Sequence, residues 1–467
     1  MARAVHFPHC GCMTEPPLVA IIGSGFSGTL IAINLLRQPG LRVVLVDRRP
    51  LFGPGVAYSA TNPAHLLNVR AHNMSAFPDQ PDHFIDWCRL RGILDQHPGT
   101  MPGFVPRRSY GDYLGSILAE GHAQAKGRLQ LVCADVARRD KGRGLELTLS
   151  DGSRITADSV VLATGNQMPL PPPELDVALL GDRYSGNPWA EGAASGLGSD
   201  DVLMLIGTGL TMVDAALAVA GSGFEGKMVA LSRRGLVPHA HAAGPHASKT
   251  SIPTATGLVA LLREVRVRAR EIDWRTAIDE LRPHTRALWQ RASRADRARF
   301  LRHLRPWWDI HRHRLAPEVA ERLAALRASG QLAVVAGRTR GFTPTDQGVE
   351  VRWRLRHAGT DRQMTVQRIV NCSGPAAPGL TGTDPLVTRL LASGIARACP
   401  SGMGLDVDEN SVLRDRSGTP HPNFHALGPL TRGAFLEITA VPDIRVQAWE
   451  VARQIGNEWI GSRRECP

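Results

Sequence analysis

Two glycine-rich turns constrain what this chain can fold into more than any other feature of its sequence. Each follows a short apolar run and opens a stretch with helical spacing, and the two turns lie 184 residues apart. An apolar strand, a glycine turn and a helix form the start of a dinucleotide-binding β-α-β unit. The sequence therefore predicts an α/β fold with two Rossmann-like dinucleotide-binding domains. Two dinucleotides on one chain are typical of a flavin that is reduced by a nicotinamide.

The first turn reads Gly23-Ser24-Gly25-Phe26-Ser27-Gly28 and comes directly after the apolar run 18–22. Its first glycine permits a tight turn, its second lets the backbone approach a pyrophosphate, and its third lets the helix pack closely on the strand. The phosphate then lies at the helix N-terminus, where N–H groups and the helix dipole favour an anion. Asp47 ends the next apolar run, 19 residues after Gly28, where its carboxylate can accept ribose hydroxyls.

The second turn reads Gly207-Thr208-Gly209-Leu210-Thr211-Met212 and departs from the usual pattern at its last position. A methionine there predicts looser packing between helix and strand. The next apolar run ends in Ser232-Arg233-Arg234-Gly235 instead of an acid. Guanidinium groups suit a 2′-phosphate, which a carboxylate would repel, so this ending favours NADPH over NADH. The alternative is that Arg233 and Arg234 are solvated turn residues.

Two further apolar runs end in similar glycine turns, Val161–Gly165 and Ile369–Gly374. In flavoproteins with two dinucleotide sites, such turns mark crossings between the domains. We therefore expect Gly165 to lie near the flavin.

Composition limits the classes of protein to which the chain can belong. The chain has 467 residues, of which 43% are apolar, and a net charge of +12. Its arginines are scattered along the sequence, and its aromatic residues are few, which favours a small-molecule partner over nucleic acid. No apolar run reaches the ~18 residues that a membrane span requires. We expect a cytoplasmic protein that binds neither nucleic acid nor membrane.

Seven cysteines occur without any C-x-x-C spacing, which argues against a zinc site or a disulfide framework. His239 and His241 share one loop with His246 but have no acidic partner nearby in sequence. We interpret this loop as a cover over the nicotinamide and predict no metal site.

The order of the elements predicts one domain that is interrupted by another. Residues 1–17 form a leader, and residues 18–195 and 341–467 form the first dinucleotide-binding domain. Residues 196–340 form the second, with an arginine-rich helical insertion at about 255–330.

Several motifs together resemble a largely uncharacterised bacterial family of FAD/NAD(P)-binding proteins. The matching segments are Gly53–Ser59, His65–Val69, Met74–Pro78, Asn187–Trp189, Gly207–Asp214, Ser232–Gly235, His311–Arg314 and Gly428–Phe435. The resemblance spans about residues 18–455. It implies FAD at Gly23, Gly25, Gly28 and Asp47, and NADPH at Gly207, Gly209 and Arg233.

The chain is also distantly similar to flavin-dependent N-hydroxylating and Baeyer–Villiger-type monooxygenases. Those enzymes pass hydride from NADPH to FAD and form a C4a-peroxyflavin with molecular oxygen. One departure from many FAD proteins is that Gly428 is followed by Pro429, where an aspartate commonly helps to hold the ribityl chain. The full set of predicted cofactor-binding residues is Gly23, Ser24, Gly25, Phe26, Ser27, Gly28, Asp47, Gly165, Gly207, Thr208, Gly209, Arg233, Arg234 and Gly428.

These patterns leave three functions open. The first is an NADPH- and FAD-dependent monooxygenase of a small polar substrate such as an amine or amino acid, with Asn68 and Arg70 as catalytic positioning groups. The second is an NAD(P)H:flavin reductase or dehydrogenase that makes no productive use of oxygen. The third is a flavin-binding sensor or partner-binding protein without turnover.

Overall fold

The computed structural model describes residues 16–59, 65–94, 103–142, 144–189, 192–242, 253, 255–376 and 384–464. Their strands are β1 (Leu18–Ile22), β2 (Arg42–Asp47), β3 (Leu129–Cys133), β4 (Val136–Gly142), β5 (Gly144–Leu149), β6 (Arg154–Ala157), β7 (Ser159–Leu162), β8 (Tyr184–Ser185), β9 (Val202–Ile206), β10 (Lys227–Ser232), β11 (Leu332–Thr345), β12 (Gly348–Leu355), β13 (Asp361–Val366), β14 (Arg368–Asn371), β15 (Val412–Arg414) and β16 (Pro420–Ala426).

Their α-helices are α1 (Phe26–Leu36), α2 (Gly55–Tyr58), α3 (His83–Leu90), α4 (Arg107–Gln124), α5 (Val177–Leu180), α6 (Leu210–Gly221), α7 (Leu258–Ile272), α8 (Trp274–Leu281), α9 (Thr285–Arg291), α10 (Arg294–Arg299), α11 (Arg305–Arg312), α12 (Pro317–Ala328), α13 (Pro385–Ser393), α14 (Arg432–Phe435) and α15 (Val441–Arg464). A π-helical stretch at Phe300–Leu304 joins α10 to α11. None of the helices in these described ranges is long and apolar enough to cross a bilayer.

The chain divides into two compact units, and the second is inserted into the first. The first unit comprises Met1–Thr61, Val69–Gln167 and Ala377–Pro467, and the second comprises Asn62–Asn68 and Met168–Ala376. The predicted inserted α/β architecture is thus confirmed, whereas the division falls outside the expected limits of 196 and 340. The second unit is larger because the strands on both sides of those limits pair with β9 or with its neighbours. Residues 1–15 of the predicted leader lie outside the described ranges.

The first unit is built on a six-stranded sheet with the order β15-β16-β7-β1-β2-β3. Strand β1 lies at its centre and pairs in parallel with β2 and with β7. All five residues of β1 are buried, since a central parallel strand is covered on both faces. The antiparallel sheet β4-β5-β6 adds a small second layer of apolar residues to the same core.

The second unit has a seven-stranded sheet with the order β13-β12-β11-β10-β9-β14-β8. Strands β9, β10 and β14 are its parallel centre, while β11, β12 and β13 form an antiparallel ribbon at one edge. The arginine-rich segment predicted to be helical contains α7 to α12. In both sheets the glycine turn follows the carboxyl end of a central strand, which is where ligands of open α/β sheets bind.

Candidate cofactor sites

The first glycine turn has the geometry that a dinucleotide-binding turn requires. Gly23 adopts φ +101°, a region that favours glycine, and its N–H donates to the Val46 carbonyl at 2.8 Å. A Cβ added at position 23 would lie 2.5 Å from the Ala163 carbonyl oxygen. One added at position 28 would lie 1.7 Å from the Gly23 carbonyl oxygen. Both glycines are therefore required by sterics, and they bring the start of α1 close to β1.

The carboxylate of Asp47 faces the first glycine turn, which holds it in place by hydrogen bonds. Its Oδ2 accepts from the Ser24 N–H at 2.7 Å and from the Ser24 hydroxyl at 3.0 Å, and its Oδ1 accepts from the Arg49 N–H at 2.9 Å. Burial alone would raise the pKa of Asp47, but the backbone N–H donors of Ser24 and Arg49 and the Arg49 charge hold it below its ordinary value. The carboxylate is ionised, and its remaining lone pairs are suited to accept hydroxyls.

A second glycine pair packs directly against this turn. The Gly53 N–H donates to the Ser24 carbonyl at 3.0 Å, and a Cβ on Gly55 would lie 2.8 Å from the Gly25 Cα. Gly53 and Gly55 belong to the family resemblance, but no place at the site was predicted for them. Their signal was the repeated G-x-G spacing within an otherwise irregular segment.

Gly165 and Gly428 lie at strand ends of the same sheet. Gly165 has φ +76°, and a Cβ there would meet no atom within 4 Å, so the space beside it is open. The neighbouring Thr164 hydroxyl is buried without a hydrogen-bond partner among the described residues. Gly428 has φ +65°, and its N–H donates to Gln447 Oε1 at 2.8 Å. An orphaned hydroxyl beside an open glycine cradle fits a dinucleotide that would supply the missing partner.

The second glycine turn repeats the geometry of the first within its own unit. Gly207 has φ +112°, its N–H donates to the Leu231 carbonyl at 2.8 Å, and a Cβ there would lie 2.4 Å from the Cys372 carbonyl oxygen. The backbone at Gly209 (φ −83°, ψ −166°) matches that at Gly25 (φ −69°, ψ −168°). A Cβ on Gly209 would meet no atom within 4 Å. This open cradle fits the pyrophosphate of a second dinucleotide.

Met212 changes the first turn of α6. Its side chain is buried, and its N–H donates to the Gly209 carbonyl at 3.0 Å, which also accepts from the Val213 N–H at 3.2 Å. In the first turn the equivalent carbonyl, that of Gly25, accepts from Thr29 at 2.9 Å. The Gly209 carbonyl at the start of α6 thus accepts from two N–H groups, one of which belongs to the methionine that stands where α1 has a glycine.

The predicted arginines follow β10 as expected. Arg233 is exposed and Arg234 is half-buried, with its Nη2 donating to the Arg302 carbonyl at 3.4 Å. The Thr208 hydroxyl pairs with the Ser232 hydroxyl at 2.8 Å, which ties the turn to the end of β10. Ser232 ends β10, at the position that Asp47 has at the end of β2.

The two predicted catalytic residues belong to different compact units. Asn68 lies in the second unit, where its carbonyl accepts from His241 Nε2 at 3.0 Å. Arg70 lies in the first unit, where its guanidinium stacks over Phe104 at 5.1 Å. Both side chains are half-buried. Their catalytic roles stay predictions.

Four cysteines lie in the described ranges, and each is a free thiol: Cys88, Cys133, Cys372 and Cys399. Burial raises the pKa of Cys88 and of Cys372 to about 12, so neither is a thiolate at neutral pH. Among the described residues no group of His, Cys, Asp and Glu side chains is arranged to hold a metal ion. His246 lies outside the described ranges.

One family of known proteins matches the part of the chain that contains the first glycine turn. Residues 20–167 match the family described as FAD-NAD(P)-binding. The match is to this segment alone. It contains the first glycine turn, Asp47 and Gly165. No curated protein matches the sequence significantly.

Solved structures of flavin enzymes share the fold over nearly the whole chain. L-lysine 6-monooxygenase from Pseudomonas syringae has a TM-score of 0.66 at 15% identity, covering 95% of this chain and 99% of its own. Ornithine N-hydroxylase from Kutzneria sp. 744, in complex with reduced FAD, NADP⁺ and L-ornithine, has a TM-score of 0.63 at 15% identity. The match covers 94% of this chain and 99% of the hydroxylase. The FAD-bound cadaverine monooxygenase from Erwinia amylovora has a TM-score of 0.66 at 12% identity, and the match covers 94% of each chain.

These likenesses show that the fold is that of FAD-dependent NAD(P)H oxidoreductases. They confirm the predicted pair of Rossmann-like domains, and with the family match they confirm FAD and NADP as the cofactor pair of this fold. The distant similarity to N-hydroxylating monooxygenases, expected from the sequence motifs, is confirmed at the level of the fold.

Proposed function

We propose that this protein is an NADPH- and FAD-dependent monooxygenase of a small amine or amino-acid-like substrate. The observation that carries the proposal is the repeated geometry of two glycine turns, each at the carboxyl end of a central parallel strand. One turn is followed by an ionised aspartate and the other by two arginines. This difference suits two different dinucleotides, an FAD and an NADPH.

In this proposal the first turn holds the FAD pyrophosphate. The backbone N–H groups at the start of α1, from Gly25 to Gly28, would donate to the anion, and the helix dipole adds to the attraction. Asp47 accepts the ribose hydroxyls. Thr164 and Gly165 lie along the cofactor, and Gly428 closes the far side of the turn. Bound FAD would supply the redox chemistry and the reaction with oxygen.

The second turn holds NADPH in the same way. Gly207, Thr208 and Gly209 contact its pyrophosphate, and Gly209 leaves the space that a side chain would fill. Arg233 and Arg234 bind the 2′-phosphate through charge-assisted hydrogen bonds. Neither turn needs an additional catalytic side chain, because the protein contributes binding and orientation.

The substrate class rests on the solved neighbours and on two side chains. The enzymes that share the fold act on lysine, ornithine and cadaverine. Asn68 and Arg70 are each a candidate positioning group, because either an amide or a guanidinium can bind a carboxylate. Disulfide reduction needs two adjacent cysteines. The described cysteines argue against that chemistry, because no two of them form a pair: Cys88, Cys133, Cys372 and Cys399.

The test measures how NADPH oxidation is divided between products. Purified protein, loaded with FAD, is given NADPH and oxygen with lysine, ornithine or cadaverine. N-hydroxylated product and hydrogen peroxide are then quantified for each NADPH consumed. A monooxygenase yields hydroxylated product close to the NADPH consumed with its preferred amine.

Two other results would favour the alternatives. Hydrogen peroxide equal to the NADPH consumed with every amine would mean a reductase without productive use of oxygen. Protein that takes up no FAD, or that NADPH does not reduce under anaerobic conditions, would mean a binding protein without turnover.

A further inference from the structure

Arg356 meets the segment that follows β10, although the two are far apart in sequence. Its Nη1 donates to the Arg233 carbonyl at 3.2 Å across 123 residues. Its Nε lies 2.9 Å from the His357 ring nitrogen. A guanidinium has five N–H donors, so these contacts leave further donors for a ligand. The sequence analysis did not single out this arginine.

The edge ribbon of the sheet determines where Arg356 lies. Strand β11 runs parallel to β10, with Ala336 beside Ser232, and β12 returns antiparallel to β11. The Arg356 N–H donates to the Ala336 carbonyl at 2.9 Å, directly after β12 ends. The end of β12 is thus fixed at the end of β10 by main-chain hydrogen bonds, which do not depend on the side chain at position 356.

The side-chain pattern of β12 explains why an arginine points outward at this place. Val351 and Trp353 are buried, and Arg352, Arg354 and Arg356 alternate with them on the exposed face. Arg338 of β11 pairs directly with Arg354, so like charges face each other across the ribbon. Such pairs are destabilising without an anion nearby. Of these arginines only Arg356 is hydrogen-bonded to the segment containing Arg233 and Arg234.

We propose that Arg356 is a third ligand of the NADPH 2′-phosphate, together with Arg233 and Arg234. This inference rests on the proposed NADPH site and adds a specificity-determining residue from a different part of the chain. The segment from Ser232 to Ala242 contains no Asp or Glu that would repel a phosphate dianion, and Arg233, Arg234 and Arg356 would each offer it a guanidinium. Recognition of a phosphomonoester by an arginine cluster is favourable because the hydrogen bonds are charge-assisted.

The experiment compares two adenine nucleotides on the full-length, FAD-loaded protein. Binding of 2′,5′-ADP and of 5′-AMP is measured by calorimetry for the wild type, Arg356→Gln and Arg352→Gln. The second variant is a matched control, because Arg352 has the same charge and lies on the same face of β12. We expect Arg356→Gln to bind 2′,5′-ADP about tenfold more weakly, as for one lost charge-assisted contact. Its affinity for 5′-AMP, and both affinities of Arg352→Gln, should stay at the wild-type level.

The outcomes separate this inference from the proposed cofactor. A wild type that binds 2′,5′-ADP no better than 5′-AMP would overturn the NADPH site and the Arg356 role together. A wild type that prefers 2′,5′-ADP, with Arg356→Gln unchanged, would overturn the Arg356 role alone. Equal losses of 2′,5′-ADP affinity in Arg356→Gln and Arg352→Gln would also overturn it, because they would indicate a general electrostatic effect of the arginines on that face of the ribbon. Arg356→Lys, which keeps the charge, should bind 2′,5′-ADP with an affinity between those of the wild type and Arg356→Gln. Such a partial recovery also shows that the ribbon remains folded when position 356 is changed.

Discussion

Gly428 lies against Ser27, so that a Cβ added to the glycine would come 2.4 Å from the serine hydroxyl oxygen. Ser27 belongs to the first glycine turn, and Gly428 follows the last strand of the same sheet. This contact closes the first unit, because it joins the first helix of that unit to its last strand. It also explains why position 428 is a glycine although no aspartate follows it. The glycine allows the close approach to Ser27 and the φ of +65°.

Replacement of this glycine by alanine is expected to destabilise the first unit. Gly428→Ala has to adopt a left-handed backbone, at a cost of about 1–2 kcal/mol, and must also displace the Ser27 hydroxyl. The free energy of unfolding, measured by urea denaturation with FAD bound and removed, should fall in both states.

The double variant Ser27→Ala/Gly428→Ala is the control for this prediction. It removes the hydroxyl contact and leaves the backbone strain, so it should recover only part of the loss. Full stability of the single variant would mean that the contact is not required.

Replacement by alanine is expected to affect stability at position 28 but only NADPH binding at position 209. A Cβ at position 28 would lie 1.7 Å from a backbone oxygen, whereas a Cβ at position 209 meets no atom within 4 Å. Gly28→Ala should therefore lose FAD binding and stability together. Gly209→Ala should keep its melting temperature and FAD content, yet bind NADPH at least about tenfold more weakly, because its methyl group fills the phosphate cradle.

Melting temperature, flavin absorbance and NADPH titration of the two variants measure these effects separately. A Gly209→Ala protein with wild-type NADPH affinity would contradict the assignment of the second turn.

His425 gives the first unit an acid-sensitive core. The side chain is only 1% exposed, and burial lowers its pKa to about 4. Above the unfolded-state pKa of about 6.5 both states are neutral, so the full stability is present. As the pH falls from there toward 4, the unfolded chain takes up a proton that the folded one excludes. Stability should fall by about 3 kcal/mol over this window, at about 1.4 kcal/mol for each pKa unit.

His425→Leu should flatten that pH dependence, as measured by urea midpoints at several pH values between 4 and 7.5. His421→Leu is the matched control, since His421 lies on the same strand and is only half-buried. An identical acid limb in wild type and His425→Leu would show that another group is responsible.

Arg70 is expected to distinguish substrates by their carboxylate. Lysine and cadaverine share the same terminal amine, but only lysine has a carboxylate for a guanidinium to bind. Arg70→Gln should therefore raise the KM for lysine about tenfold and leave the KM for cadaverine unchanged, with little change in kcat. Steady-state NADPH oxidation with both amines measures this difference. Equal effects on both substrates would exclude a role in carboxylate binding.

Much of the fold follows from local sequence patterns. The apolar runs before Gly23 and Gly207 form the central strands β1 and β9, because an uninterrupted apolar run suits a parallel strand that is buried on both faces. Helix α1 begins at Phe26, inside the glycine turn. The last residues of the turn themselves adopt helical geometry, because Gly25, whose backbone is extended, is the N-cap of the helix.

Other features depend on contacts between distant segments. The limits of the second unit, from Met168 to Ala376, follow from strand pairing around β9, so the limits expected at 196 and 340 were too narrow. Arg338, Arg352 and Arg354 lie on one face of the β11–β12 ribbon, because residues two apart in a strand point the same way and neighbouring strands align them.

The sequence by itself determined the two turns, the order of their elements and the charges that follow each of them. These depend on φ angles and helix starts that glycine and its neighbours set within a few residues. Only the tertiary structure decided which carbonyl faces each turn, that Gly428 reaches Ser27, and that Arg356 joins Arg233. Those relationships arise from pairing in sheets, whose partners the sequence separates by more than a hundred residues and which no local pattern specifies.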